Sequence, residues 1–165
     1  KRKKADLRKP KLLYLGRYKK EKGVFSLTNI LDSINFNFEL NIVGLKKKIT
    51  SANGKVKFFN EVNSTKKIIS FYDKCNIFVL PSYTEGAPKV ISESLARYRP
   101  IIVFEEIKHV KENFKGIFVC RRQTKDLTNK IRYIMKNYKY IIKEIKKNKI
   151  HTKKQFQNKL SKIFQ

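Results

Sequence analysis

Residues 81–88, PSYTEGAP, form a loop of small residues between an apolar run and a helical pattern, and this loop could bind an anion. A helix that begins near Pro88 presents free N–H groups and a partial positive charge at its start. Glu85 lies in the loop, and Glu93 follows roughly one and a half turns into the helix. Since carboxylates accept hydrogen bonds from sugar or ribose hydroxyls, the pattern predicts an anion site with two flanking acceptors.

Both glutamates also have a purely structural interpretation. Glu93 stands four residues from Lys89 and from Arg97, which is the spacing of helical ion pairs worth roughly a few tenths of a kcal/mol. Glu85 would interact favourably with the start of the helix dipole. Spacing alone leaves the functional and the structural interpretations open.

A second candidate anion site follows the first apolar run of the chain. Residues 11–15, KLLYL, end at Gly16, and Arg17 and Lys22 come soon after. Glycine lets backbone approach a ligand closely, and both cations could contact phosphate oxygens. Because 40 of the 165 residues are Lys or Arg, two cations beside a glycine are by themselves weak evidence for an anion site. Their position directly after a predicted strand favours a site.

Short apolar runs and helical patterns alternate along the chain. Strands are predicted at residues 11–15, 38–43, 55–59, 76–80, 100–104 and 116–119. Helices are predicted at residues 26–34, 64–74, 89–98 and 124–138, with Ser64 and Thr124 as candidate N-caps. Continuous apolar strands are typical of a parallel sheet covered on both faces. The sequence therefore predicts an α/β domain with a doubly wound, Rossmann-like parallel sheet, whose ligands bind at the carboxyl ends of the strands.

The chain of 165 residues is long enough for one domain with a core of its own, and its charge lies mostly at the ends. We expect a basic lead-in at residues 1–10, the α/β domain at 11–138 and a basic helical tail at 139–165. Of the net charge of +27, the first 22 residues carry +9 and the last 27 carry +8. Such ends favour nucleic acid, phospholipid headgroups or phosphorylated ligands, but solubilising lysines explain them equally well.

Metal, disulfide and membrane-spanning classes are disfavoured. Cys75 and Cys120 match no metal or disulfide spacing, and His109 and His151 are too few for a His-rich metal site. No Asp-x-Asp pair is present, and no apolar run approaches the roughly 18 residues of a membrane span. With no secretory signal at its start, the chain is expected to be cytoplasmic and to hold no metal.

Four segments resemble motifs of the retaining GT-B glycosyltransferases, the group 1 family. Residues 84–96, TEGAPKVISESLA, resemble its E-x7-E signature, and residues 76–82, NIFVLPS, resemble the strand before it. Residues 99–103, RPIIV, resemble its G-x-P-V-I stretch. LGR at 15–17 with EKG at 21–23 resembles its V-G-R…E-K-G opening. The motifs occur in the family's order and cover most of the chain, as one Rossmann-like half of a GT-B enzyme.

The resemblance implies roles for the residues at both candidate sites. Arg17 and Lys22, beside Gly16, would bind the diphosphate of a UDP- or GDP-sugar. Glu85 would lie near the donor sugar, and Glu93 would bind the ribose. Glu85, Arg17 and Lys22 would thus make the catalytic contribution, and no essential metal is expected.

The resemblance also implies which loops line the rest of the donor site. The backbone of Gly86, Ala87 and Pro88 would line the sugar–phosphate region, although Pro88 has no N–H to donate. The nucleotide base would lie near Glu61 and Val62, in the loop after the third predicted strand.

The chain departs from the family pattern at three places. Asn60 and Arg99 stand where the family usually has glycine. Glu105 and Glu106 replace a glycine pair that often follows the strand at 100–104. These departures affect the fit of the donor and leave the class unchanged.

The family's enzymes have two Rossmann-like domains, and the resemblance covers only the carboxyl-terminal, donor-binding one. An amino-terminal acceptor domain is therefore expected in the same chain or another, with a glycan or lipid-linked acceptor. Residues 140–164 have three open interpretations: a helix that packs on that domain, an amphipathic helix on the inner membrane surface, or a solvated tail.

A second function class stays open for the whole chain. The basic ends could make it an α/β binding module for nucleic acid or an anionic membrane, without catalysis. Nucleic acid is the less favoured partner, because the sequence contains no aromatic-interleaved recognition motif and no helix-turn-helix pattern.

Overall fold

The computed structural model describes residues 4–17, 19–44, 55–112 and 114–150. The strands are β1 Lys11–Leu15, β2 Glu39–Val43, β3 Val56–Phe59, β4 Ile77–Leu80, β5 Ile101–Phe104 and β6 Ile117–Cys120. The α-helices are α1 Val24–Asp32, α2 Thr65–Lys74, α3 Lys89–Ala96, α4 Thr124–Lys136 and α5 Tyr138–Ile145. Two 3₁₀ helices, Lys20–Lys22 and Glu105–Lys111, were not predicted.

All six strands are parallel and lie in the order β3-β2-β1-β4-β5-β6. The predicted doubly wound sheet is therefore confirmed. The strand order reverses between β1 and β4, and in such sheets ligands bind in the crevice at this switch point. The two loops singled out in the sequence follow these two strands, so the topology brings them to the same place.

The central strands are buried along their whole length. Every residue of β4 and β5 is buried, since helices cover both faces of the sheet. Helix α4 packs on the sheet through Leu127, Ile131 and Ile134, which share one helix face. This burial explains why the strands are continuous apolar runs in the sequence.

One predicted helix cap is confirmed and the other is wrong. The Ser64 hydroxyl accepts a hydrogen bond from the Lys67 N–H at 3.5 Å, as an N-cap should. Helix α4 has Gln123 as its N-cap, and Thr124 is its first helical residue. The Thr124 hydroxyl donates instead to the Ile30 carbonyl at 3.4 Å, because α1 lies beside the start of α4.

The first part of the predicted basic tail packs on the same core. Tyr138, Ile141 and Ile145 are the buried residues of α5, and the Tyr138 hydroxyl donates to the Asn76 carbonyl at 2.8 Å. Residues 151–165, the rest of the predicted basic tail, lie outside the described residues. Among the helices that the structure describes, none has the length and apolar character that crossing a bilayer requires.

Candidate functional site

The loops after β1 and β4 contact each other through backbone. The Tyr83 N–H donates to the Glu21 carbonyl at 2.8 Å. Gly23 has a left-handed backbone with φ of 64°, and a Cβ placed on it would lie 2.0 Å from the Pro81 carbonyl oxygen. Only glycine accommodates both constraints at this position. The two loops are therefore fixed to each other at the switch point.

Lys22 and Glu85 form an ion pair across these two loops. The Lys22 Nζ lies 2.8 Å from the Glu85 Oε1, and the Ser82 hydroxyl donates to the same oxygen at 2.7 Å. The pair is largely shielded, with the Glu85 side chain only 12% exposed. Two residues assigned to the donor site from separate motifs are thus in direct contact.

Gly16 and Arg17 lie at the carboxyl end of β1, as predicted. The buried Tyr14 hydroxyl donates to the Arg17 carbonyl at 3.2 Å, and a Cβ at Gly16 would lie 2.5 Å from that hydroxyl. Burial raises the pKa of the Tyr14 phenol, so it stays a neutral donor. The Arg17 side chain is exposed and available to a ligand.

The start of α3 lies beside Gly86 and has no side-chain cap. Pro88 is the N-cap residue, and Lys89 begins the helix, so the predicted helix start is confirmed within a residue. A Cβ at Gly86 would have no heavy atom within 4 Å. The Gly86–Ala87–Pro88 segment is accordingly open to a ligand, and first-turn N–H groups of α3 face no capping side chain.

Glu93 is oriented by a buried tyrosine of α2. The Tyr72 hydroxyl donates to the Glu93 Oε2 at 3.0 Å, while the carboxylate itself lies on the exposed face of α3. Burial, and then the nearby Glu93 charge, raise the pKa of the Tyr72 phenol. Arg97, a possible ion-pair partner of Glu93 from the sequence, contacts both carboxylate oxygens of Asp73, with its Nη2 2.6 Å from Oδ2. Glu93 therefore has a fixed position on an accessible surface.

Val62 lies in a separate cavity between the end of β3 and α2. This cavity has a volume of about 390 Å³ and is lined by Phe59, Asn60, Glu61, Val62, Lys67, Ser70, Phe71 and Lys74. The rings of Phe59 and Phe71 pack edge to face with centroids 4.9 Å apart. An apolar floor with polar sides suits a planar ring, but none of these residues belongs to the loops after β1 and β4.

Two arginines make contacts near the site that were not predicted from the sequence. Arg99 is buried, and its Nε and Nη2 donate to the carbonyls of Tyr72 and Asp73 at 2.8 and 3.0 Å. The Arg122 Nη2 donates to the Pro81 carbonyl at 3.0 Å. In the sequence Arg99 stands out only as a departure from the family pattern, and no spacing indicates its partners.

A third unpredicted contact comes from the Glu105–Lys111 helix. The His109 Nε2 lies 3.0 Å from the Glu85 carbonyl oxygen, which a ring N–H can contact as a donor. Across the described ranges there is no group of three or more His, Cys, Asp or Glu side chains arranged to bind a metal.

Comparison with known proteins gives the family. The family model described as glycosyl transferases group 1 matches residues 1–155. An uncharacterized glycosyltransferase of Methanocaldococcus jannaschii is 30% identical over 159 residues, 90% of this chain and 43% of that protein. A Campylobacter jejuni relative, N,N'-diacetylbacillosaminyl-diphospho-undecaprenol alpha-1,3-N-acetylgalactosaminyltransferase, is 28% identical over 144 residues, 80% of this chain and 37% of that protein.

Solved structures agree on the fold. Anabaena HepE in complex with UDP-glucose superposes with a TM-score of 0.66 at 16% identity, over 86% of this chain and 43% of that chain. The chain spans less than half the length of the curated relatives described above. The fold, the order of the motifs and the family match together show that the chain belongs to the group 1 glycosyl transferases.

Proposed function

We propose that this chain is the donor-binding domain of a retaining glycosyltransferase that uses a nucleotide-diphosphate sugar. The observation that carries the proposal is the Lys22–Glu85 contact of 2.8 Å at the switch point, beside the uncapped start of α3. A cation and an open helix start at one place suit a diphosphate, and an adjacent carboxylate suits a sugar hydroxyl.

Different residues of the site bind the diphosphate, the sugar and the ribose of the donor. Arg17, Lys22 and the first N–H groups of α3 stabilise the negative charge that develops on the leaving diphosphate, which requires no metal. Glu85 orients the sugar, and the open backbone at Gly86 allows close approach of that sugar. Glu93, fixed by the Tyr72 hydroxyl, accepts hydrogen bonds from the ribose.

Two further assignments concern the nucleotide base and the acceptor. The base stacks in the cavity at Val62, and a UDP-sugar is the favoured donor because HepE has been solved with UDP-glucose. The name of the Campylobacter relative supports a lipid-linked acceptor, with an amino-terminal domain that binds it. Cytoplasmic location and contact with the inner membrane surface stay predictions.

Calorimetric titration of the chain with UDP and with GDP at moderate salt tests the proposal. We expect saturable binding of one of the two nucleotides, and Glu93→Ala should weaken it at least about tenfold, since a hydrogen bond to a charged group contributes about 1.5–3 kcal/mol. Glu112→Ala is the matched control. It also removes an exposed carboxylate, but Glu112 follows β5 in the chain, whereas Glu93 precedes it. A folded chain that binds neither nucleotide, or a Glu93→Ala variant that binds as well as Glu112→Ala, contradicts the proposal.

Tyr72→Phe should weaken nucleotide binding about three- to tenfold. The change removes only the hydroxyl that orients Glu93 and keeps the carboxylate, so binding should lose only part of the about 1.5–3 kcal/mol that a hydrogen bond to a charged group contributes. The same titration measures it, with thermal unfolding to show that the core is intact. Unchanged binding in Tyr72→Phe, beside a loss in Glu93→Ala, would mean that Glu93 does not need the Tyr72 hydroxyl to hold its position.

A further inference from the structure

Arg122 follows β6 and contacts more parts of the carboxyl edge of the sheet than its place in the sequence suggests. Its Nη2 donates to the Pro81 carbonyl at 3.0 Å, and its Nη1 lies 3.4 Å from the Ser26 hydroxyl of α1. The side chain is only 16% exposed. One guanidinium thus contacts both the helix that follows the Lys22 loop and the start of the Glu85 loop.

Two aromatic rings fix the plane of this guanidinium. Its central carbon lies 4.0 Å from the centroid of the Tyr83 ring and 4.3 Å from that of Phe104. A planar cation stacks on aromatic faces in a way that an ammonium group does not. Tyr83 lies two residues before Glu85, so the stack fixes the middle of the loop as well as its start.

Glu106 and His109 complete the contacts from the Glu105–Lys111 helix. The Arg122 Nε lies 2.8 Å from the Glu106 Oε1. Partial burial is the largest single influence and would raise the pKa of Glu106. The hydrogen bond from Arg122, a backbone hydrogen bond and the Arg122 charge together outweigh it, so the pKa lies below its usual value. His109 contacts the Glu85 carbonyl at 3.0 Å. Glu106 thus gives Arg122 a charged partner from the Glu105–Lys111 helix.

We propose that Arg122 is a positioning residue of the donor site, which sets the separation of Lys22 and Glu85 by joining their loops. The inference rests on the proposed donor-binding function. Arg122 does not itself touch the ligand. It acts through the Pro81 carbonyl and the Tyr83 ring, whereas Glu93 is oriented by a different set of contacts through Tyr72.

The test compares how two ligands bind to Arg122→Ala. UDP-glucose reaches Glu85 with its glucose. UMP has one phosphate and lacks the glucose, and it binds Glu93 through its ribose. GDP-mannose and GMP replace them if the chain prefers guanine. We expect Arg122→Ala to bind UDP-glucose roughly ten- to a hundredfold more weakly, the affinity that one lost hydrogen bond to a charged group accounts for, and UMP within about twofold. Arg122→Lys, which can still donate to Pro81, should recover part of the loss.

Arg121→Ala is the matched control, because it removes the same charge from the neighbouring residue. Arg121 is 68% exposed and lies 3.7 Å from Glu105, away from the Pro81–Glu85 loop. We expect it to leave the affinity for both ligands unchanged. Equal losses for UDP-glucose and UMP, or equal effects of Arg121→Ala and Arg122→Ala, would overturn the positioning role.

A measurement without ligand separates this inference from the proposed function. The Gly86 amide signal in an NMR correlation spectrum should shift in Arg122→Ala and stay in place in Arg121→Ala. An unshifted signal in both variants overturns the inference, whatever binds. A shifted signal in a chain that binds no nucleotide shows that Arg122 positions the loop and that the donor assignment is the part that fails.

Discussion

Replacing Gly23 with alanine is expected to lower the free energy of unfolding by roughly 2–5 kcal/mol. Gly23 has a φ of 64°, and an L-residue in the left-handed region costs about 1–2 kcal/mol. The added Cβ would also lie 2.0 Å from the Pro81 carbonyl oxygen, so one backbone segment must move. Because whole domains are stable by only about 5–15 kcal/mol, the loss should be large in a urea titration.

Gly86→Ala is the control for this prediction. It makes the same chemical change in the neighbouring loop, but its Cβ meets no heavy atom within 4 Å, and its backbone is not in the left-handed region. Its unfolding free energy should change by less than about 0.5 kcal/mol. If both variants unfold at the same urea concentration, the close approach of the Lys22 and Glu85 loops is wrong. Gly86→Ala should instead weaken nucleotide-sugar binding, because its Cβ occupies space assigned to the ligand.

The sheet could be predicted from the sequence because a strand that is buried on both faces has apolar residues at successive positions. The runs at β4 and β5 are apolar without alternation, and only a strand buried on both faces requires this. Parallel strands in turn place the residues that follow them at one edge. The resemblance to the group 1 family then assigned Gly16, Lys22 and Glu85 to one donor site before any coordinates. A glycine, a helix start and a strand end are each set by residues close together in the chain, so the sequence alone can indicate them.

The contacts that orient the site could not be predicted, because they join residues that are distant in sequence. Arg122 and Pro81 are 41 residues apart, and Tyr72 and Glu93 are 21 apart. In a chain with 40 lysines and arginines, the spacing of one arginine carries little information. Arg99 and Glu106 were visible only as departures from a pattern, and each proved to be part of a buried or half-buried contact.

The contact between Lys22 and Glu85 leads to two predictions of opposite sign. Lys22→Ala should weaken binding of UDP about ten- to a hundredfold, because a hydrogen bond between charged groups contributes about 1.5–3 kcal/mol. Glu85→Gln should strengthen UDP binding several-fold. It keeps the shape of the side chain and removes a negative charge that lies 2.8 Å from the Lys22 Nζ, so the ammonium group no longer shares its charge with a competitor.

Lys22→Ala and Glu85→Gln should also differ in their affinity for the nucleotide sugar. Glu85→Gln should lose the gain in affinity when UDP is replaced by UDP-glucose, since the sugar then lacks its carboxylate partner. Arg17→Ala should resemble Lys22→Ala, because the exposed Arg17 side chain lies at the same strand end. Calorimetry with each ligand measures all three variants, and transfer activity is measured in the presence of the acceptor domain.

Lys20→Ala is the control that separates a specific site from general basicity. Lys20 is exposed in the same 3₁₀ helix as Lys22, two residues away, and its loss changes the net charge of +27 by the same amount. If UDP were attracted by the overall positive charge, Lys20→Ala and Lys22→Ala would weaken binding equally, and both effects would fall steeply with salt. If Lys22 is a phosphate ligand, only Lys22→Ala loses affinity. A Glu85→Gln variant that binds UDP more weakly than the wild type would mean that the carboxylate holds Lys22 in position for the diphosphate and does not compete with it.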